Sequence, residues 1–567
     1  MKSPSSLFLC VVGACLLPVA AGAQQQSPPA STLQRPRLVV LCSVDQLASW
    51  VFQQGEPHFA EDGGFRRLQR EGIYFPECAY QHGCTETGPG HATIGTGAPA
   101  AVHGIVRNNW WSPEAKKLQY CAQETMAALP ELPEGKDRGP GLLLVPTLGD
   151  GIKAHLPGSK VASVSWKDRS AILMGGGAAD AVVWFENATG NLVTNTRWAK
   201  TVPEWVSQFN TTRVLDSYHG WQWDRLAGPD AYAGLQDDRA YETPHGNGSK
   251  SRTLPQRVTG GLDKPGKEFY AEVYASPIAN TMVRLAAEAC VDALDLGGDP
   301  VPDLLCVSFS ANDLVGHGFG PESVEARDTL LRLDRELAQW LAFLDRKVGK
   351  GNYAFFLTAD HGVGPTPEAA KAAGVDAGRG PLQMRARAAA EKALIDRYGA
   401  PGEGKRYVTH VGEFSLFLDQ EVLAVQRGAR DAEAFLLEAS RVAAAGAQMA
   451  PAISAAFATA DLFDKANSPD PVQKALALAL CRDRAGDVQF VIKPYWLDGT
   501  TPASHGTPHT YDREVVGMAM GGGAPRGARS AEPITPGFGV VWFAHLLGIP
   551  RPTGAVDRLP IEMLTGR

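Results

Sequence analysis

Six acidic and histidine residues are scattered over the length of this chain, most of them at or just after the end of an apolar run. They are Asp45, Asp313 with His317, Asp360 with His361, and His505. Three carboxylates and three imidazoles are enough to hold two metal ions, and the mixed oxygen and nitrogen donor set suits Zn2+. Asp313 and His317 stand four apart, so one helical turn puts both on one face. A further segment, Thr85-Glu86-Thr87-Gly88-Pro89-Gly90-His91, offers hydroxyls. A neutral threonine hydroxyl is a weak nucleophile at neutral pH, and coordination to a metal activates it. Two metals beside a hydroxyl point to phosphoryl transfer. Gly88-Pro89-Gly90 after Thr87 fits a tight turn feeding a helix that starts at His91, whose free N–H groups would face a phosphate.

Substrate charge is addressed by Trp166-Lys167-Asp168-Arg169-Ser170, which follows another apolar run. Read as extended chain, Lys167 and Arg169 point the same way. A phosphomonoester dianion presents three non-bridging oxygens, which an ammonium and a guanidinium fork can neutralise together. A diester carries one charge less and needs room there for its second substituent.

These segments resemble the alkaline phosphatase superfamily, in its two-zinc members with a threonine nucleophile. Such members include nucleotide pyrophosphatase/phosphodiesterases and phosphate-irrepressible alkaline phosphatases. The resemblance runs from about Leu38 to Gly522. It is carried by the turn at Thr87 to His91, by His103-Gly104-Ile105-Val106-Arg107-Asn108, by Asp360-His361-Gly362 and by His505-Gly506, in the family's order. It implies one zinc on Asp313, His317 and His505, and a second on Asp45, Asp360 and His361 with the Thr87 oxygen. It puts the attacking hydroxyl directly before Gly88-Pro89-Gly90-His91, hence Thr87 rather than Thr85, and makes Asn108 a donor to a non-bridging oxygen. The Lys167 and Arg169 pair resembles that of the monoesterases. The resemblance therefore implies an alkaline phosphatase acting on small phosphate monoesters through a phosphothreonine. A phosphodiesterase is the alternative within the superfamily. A non-catalytic periplasmic metal- or phosphate-binding protein is the alternative outside it, needing the ligands but neither nucleophile nor clamp. His509 reads as a loop residue.

The elements that must position these residues are also legible. Leu38 to Val44, Val161 to Trp166, Leu304 to Phe309 and Tyr353 to Thr358 are apolar nearly throughout, as strands covered on both faces are. From Ser323 to Val348, Leu330, Leu331, Leu333, Leu337, Trp340, Leu341 and Leu344 recur at helical spacing. The alternation predicts an α/β/α sandwich with a mostly parallel central sheet, whose ligands bind beyond the carboxyl ends of strands. The catalytic core is expected in three pieces, 36–184, 268–375 and 500–567. A loop-rich insertion (185–267) and a cap (376–499) with Ala-rich helices at Arg385 to Tyr398 and Asp431 to Ala445 interrupt it.

At 567 residues the chain exceeds one simple core. A formal charge of −7 gives no basic face for nucleic acid, so an anionic substrate must be drawn by local positive charge. Residues 1–23 read as a signal peptide, with Lys2, an apolar stretch from Leu7 to Ala20, and Ala21-Gly22-Ala23 as the cleavage site. The stretch is shorter than the roughly 20 residues a span needs. Residues 24–35, rich in Gln, Ser and Pro, read as a disordered lead-in. A periplasmic or secreted protein with no stable membrane span follows. Of nine cysteines, Cys10 and Cys15 leave with the signal. Cys78 and Cys84 are close enough in sequence to pair, and Cys42 and Cys306 read as buried thiols.

Overall fold

The near-continuous apolar runs form the middle of one nine-stranded sheet in the computed structural model, which describes residues 35–243 and 251–565. The strands are β1 (Leu38–Val44), β2 (Gly72–Ala79), β3 (Val161–Ser165), β4 (Ala181–Phe185), β5 (Leu192–Val193), β6 (Asp303–Phe309), β7 (Tyr353–Thr358), β8 (Glu514–Gly521) and β9 (Ala528–Arg529). Their order is β9-β2-β8-β7-β1-β6-β3-β4-β5. Every pairing from β7 across to β4 is parallel, and β8 is antiparallel to β7. All residues of β1, β3, β4, β6 and β7 are buried, so both faces are covered and no polar alternation appears. The architecture is the mostly parallel α/β fold expected.

Register decides where the chemistry collects. Val44 lies opposite Phe309, Ser43 opposite Thr358, and Ser308 opposite Ser165. Four neighbouring strands therefore end level, and the residues that follow them (Asp45, Lys167, Asp313 and Asp360) arrive along one edge. Because β8 runs the other way, its amino end lies at that same edge, and the loop before it delivers His505.

Four helices matter to the site: α1 (Thr87–Thr96), α2 (Asp168–Gly175), α3 (Ala311–Phe319) and α4 (Val324–Leu344). The predicted helix from Ser323 is α4, with Ser323 as its cap accepting from the Ala326 N–H. It gives way to a wider turn at Asp345–Gly349. Two local expectations need correction. Helix α1 begins at Thr87 rather than His91, because Pro89 is tolerated in a first turn where its missing N–H is not needed. Helix α2 begins at Asp168, an acidic residue favoured at a helix amino end, so Lys167 and Arg169 are not two residues of an extended chain.

Of the range 185–267, Leu192–Val193 joins the central sheet as β5 and Val206, Trp223 and Val258 pack into its core. Among the described residues between β5 and residue 267 lie the helix Glu204–Thr212, short turns and a small strand pair, Trp221–Trp223 with Gln256–Val258. Helices Leu382–Tyr398 and Ala432–Gln448 accompany a four-stranded antiparallel sheet. They share a separate apolar cluster that includes Leu394, Tyr407, Phe435 and Phe490. The expected signal, Cys10, Cys15 and the lead-in up to residue 34 lie outside the described residues. Cys78 and Cys84 do not pair: the Cys78 thiol faces Thr358 and the Cys84 thiol faces His82, and all seven described cysteines are free. Cys42 and Cys306 are buried in β1 and β6, as expected. Among the described residues no helix is long and apolar enough to cross a membrane.

Gly90 lets α1 meet the chain after β7 backbone to backbone, since a Cβ there would lie 2.0 Å from the Asp360 carbonyl oxygen. Gly90→Ala should therefore destabilise the fold by about 1–3 kcal/mol. A urea midpoint equal to the parent's would show that this contact yields at no cost.

Candidate active site

The six ligand-type residues gather into two groups, Asp313 with His317 and His505, and Asp45 with Asp360 and His361. In each group the ligand atoms lie within 4.8 Å of one another. The His361 and His505 rings stack at 3.6 Å with planes 18° apart, so the two groups share a wall. Asp313 and His317 come from one turn of α3, as their spacing predicted.

Hydrogen bonding shows that both groups fit a cation. His317 Nδ1 is 2.9 Å from the Ala503 carbonyl oxygen, His505 Nδ1 2.7 Å from that of Thr85, and His361 Nδ1 3.0 Å from that of Gly362. A carbonyl only accepts, so each Nδ1 donates and each neutral ring keeps a lone pair on Nε2. His317 Nε2 and His505 Nε2 are 3.2 Å apart, and Asp313 Oδ1 lies 3.1 and 3.6 Å from them. Three acceptors converging this closely need positive charge between them. In the other group, Asp45 Oδ1, Asp360 Oδ2 and His361 Nε2 are all buried without a hydrogen-bond partner. Carboxylate and imidazole donors so arranged suit a divalent metal ion.

Thr87 occupies the first position of α1, where helix N–H groups and dipole favour an anion. Lys167 Nζ lies 3.5 Å and Arg169 Nη2 3.3 Å from Thr87 Oγ1. Thus the first turn of α2 brings both cations to the hydroxyl. Asn108 Oδ1 accepts from the Gly88 N–H at 2.7 Å, which leaves its NH2 group free. Thr85, the rival hydroxyl, instead donates to the Thr507 carbonyl at 2.9 Å. His509 bonds the Ile492 carbonyl at 2.9 Å and belongs to neither ligand group.

The electrostatics follow from crowding buried charge. Lys167 bonds Asp45 and also Asp313, the latter at 2.6 Å, so it bridges the two groups. Burial opposes ionisation of Asp313, but Lys167 and His317 outweigh it and hold this carboxyl well below its usual range. Asp45 moves up, through burial and repulsion from Asp360 that Lys167 only partly offsets. Burial lowers His361, yet Asp360 and Asp45 outweigh it and lift the ring to about 9. His505 falls to about 4 through burial and the neighbouring His361. Without a bound cation the site draws positive charge from whatever can supply it.

Several contributors escaped sequence reasoning. Glu86 accepts from the Asn108 N–H and from Arg107, both at 2.7 Å, and so fixes the segment that carries Asn108. Gln46 donates to Asp313 Oδ1 at 2.6 Å and receives no signal from its residue type. Asp168 accepts from Tyr120 at 2.5 Å and Arg138 at 2.6 Å. His91, seen only as part of a motif, links the Thr87 carbonyl to Ser308 on β6, each at 2.8 Å.

A model of the type I phosphodiesterase / nucleotide pyrophosphatase family matches residues 39–395. Alkaline phosphatase PhoK of Sphingomonas sp is 30% identical over 94% of this chain and 92% of its own length. A Myroides odoratus protein named as a calcium-transporting ATPase is 31% identical over 87% of this chain and 89% of its own length. Alkaline phosphatase PafA of Elizabethkingia meningoseptica is 29% identical over 95% of this chain and 96% of its own length. A crystal structure of wild-type PafA matches with a TM-score of 0.84 at 28% identity, over 94% of this chain and 99% of that one.

Lys167 is the buried cation that holds Asp45 and Asp313 together, and its removal leaves two carboxylates facing each other. In chelator-treated protein, Lys167→Met should lower unfolding free energy by about 3 kcal/mol, as when one partner of a buried ion pair is lost. The Lys167 pKa is raised above its ordinary value, because the two carboxylates outweigh burial. Its contribution is therefore complete below the unfolded value of about 10.4 and fades only as pH climbs through the higher folded value. A urea titration of both proteins at pH 8 measures the difference, and equal stabilities would contradict the bridging role.

Proposed function

The chain belongs to the type I phosphodiesterase / nucleotide pyrophosphatase family, within the threonine-nucleophile branch of the alkaline phosphatase superfamily, and from that membership we propose that it is an exported two-zinc alkaline phosphatase. Like its relatives PhoK and PafA it is a phosphoric monoester hydrolase. The observation that carries the finer reading is the pair of cations 3.5 and 3.3 Å from Thr87 Oγ1, beside two carboxylate and imidazole groups. A Lys and an Arg there match the double charge of a monoester, and a diester's second substituent would compete for the same space.

Asp313, His317 and His505 would hold one Zn2+, and Asp45, Asp360 and His361 a second together with the Thr87 oxygen. Two ions bound there would lower the pKa of the Thr87 hydroxyl and of an attacking water, and offset charge on the leaving oxygen. Thr87 Oγ1 gives up its proton to solvent and attacks phosphorus in line. The bond to the leaving oxygen breaks, that oxygen takes a proton from water, and phosphate remains on Thr87. Lys167, Arg169 and the NH2 group of Asn108 bind the equatorial oxygens as charge spreads over them. A water oxygen then bonds to phosphorus as it loses a proton to solvent, the bond to Oγ1 breaks, Oγ1 regains a proton from solvent, and inorganic phosphate leaves.

The three core pieces, 36–184, 268–375 and 500–567, supply every residue in this scheme. We read 185–267 and 376–499 as insertions that shape access to it. Export rests on the signal-like composition of residues 1–23.

Thr87→Ala should abolish turnover while bound zinc stays near two per chain by elemental analysis, and retained turnover would overturn the assignment. Replacing Lys167 and Arg169 together with Ala should cut kcat/KM for an aryl phosphomonoester by about 10²–10⁴, from two lost charge-assisted bonds. Hydrolysis of an aryl diester should fall far less. Equal losses on both substrates would favour the diesterase reading.

A further inference from the structure

Beside Thr87 opens a cleft of about 500 Å3, lined among others by Lys167, Arg169, Asp313, His317 and Tyr274. Tyr274 has no part in the scheme above. It ends the helix Lys267–Tyr274, and its ring stacks on Trp166 with centroids 5.4 Å apart and planes within 7°. Trp166 stacks in turn on Phe185 at 4.7 Å and donates its indole N–H to Asn187 at 2.6 Å. Three rings and a hydrogen bond therefore fix the position of the Tyr274 ring.

What the stack does not explain is the hydroxyl, since phenylalanine would pack as well. Two buried tyrosines of this chain bond theirs to the protein, Tyr80 to the Ala359 carbonyl at 2.9 Å and Tyr232 to Asp328 at 2.5 Å, while the buried Tyr74 hydroxyl has no partner and Tyr274 itself is half-buried at the cleft. Among the described residues the Tyr274 hydroxyl has no such bond. The charges around it are Lys167 and Arg169 first, then Asp45 and Asp313. Two cations beside a phenol favour its ionisation, but burial outweighs them and keeps its pKa above the ordinary value, so it stays a neutral donor. A neutral donor that lines the same open cleft as the two cations is suited to an anionic oxygen bound there.

We propose that Tyr274 is a further substrate-binding residue, whose hydroxyl donates a hydrogen bond to a phosphoryl oxygen held by Lys167 and Arg169. The inference rests on the monoesterase reading of that pair. It adds a third donor beside the clamp and gives the aromatic stack a purpose, which is to hold the phenol where the dianion binds.

Tyr274→Phe keeps the ring and removes only the donor. With the metal-loaded protein, the Kd for inorganic phosphate, measured by calorimetry, should rise about tenfold. The kcat/KM for an aryl phosphomonoester should fall by a similar factor, diester hydrolysis should change less than about twofold, and the melting temperature should hold. Unchanged phosphate affinity and unchanged monoester kinetics in the folded variant would overturn the proposal. Tyr274→Leu, which also lacks a donor, serves with the same outcomes if the first variant does not fold. Should the parent protein prefer the diester, the monoesterase reading fails, while the phosphate affinities of parent and variant still decide whether Tyr274 binds the anion.

Discussion

Asp45, Asp313 and Asp360 are buried together at one edge of the sheet, and buried carboxylates persist only beside positive charge. Much of the site can be read as an answer to that demand. Lys167 reaches across to two of the three, and His317 and His361 are pulled toward protonation by the acids they face. The backbone carbonyls of Thr85, Gly362 and Ala503 each accept a hydrogen bond from the Nδ1–H of one histidine, which turns three Nε2 lone pairs inward. A protein that crowds acceptors in this way is organised around cations, and a phosphate ester brought among them meets charge already in place.

The demand could be created only by a sheet whose strands end level. Parallel pairing of β7, β1, β6 and β3 sets four strand ends in one row, and each next few residues supply one charged group. The reversed strand β8 then returns the chain to the same edge with His505. Helix α1 lies against this row at Gly90, where the absent side chain lets the Thr87 turn approach Asp360. The proposed nucleophile, ligands and clamp thus come from segments far apart in sequence, and what they share is the edge.

That is also why so much was legible in the sequence. Apolar runs without alternation mark strands covered on both faces, and Asp45, Asp313 and Asp360 follow such runs, so their convergence could be anticipated without a structure. Helical spacing likewise revealed α4 and the Asp313 and His317 pair. The misreadings were local. The starts of α1 and α2 depend on whether Pro89 and Asp168 end a loop or open a helix, and residue type allows both. Gln46 and Glu86 lie beside marked residues yet escaped notice with Tyr274, because each acquires its role only through partners brought in by the fold.

The central claim is that Thr87 itself carries the phosphate between the two halves of the reaction. Its most direct test is to mix metal-loaded enzyme with an aryl phosphomonoester, quench in acid within the first turnover, and map the phosphorylated peptide by mass spectrometry. The account predicts one phosphoryl group per chain at most, on Thr87. Phosphate on Thr85, or multiple turnovers with no phosphorylated residue at any quench time, would contradict it.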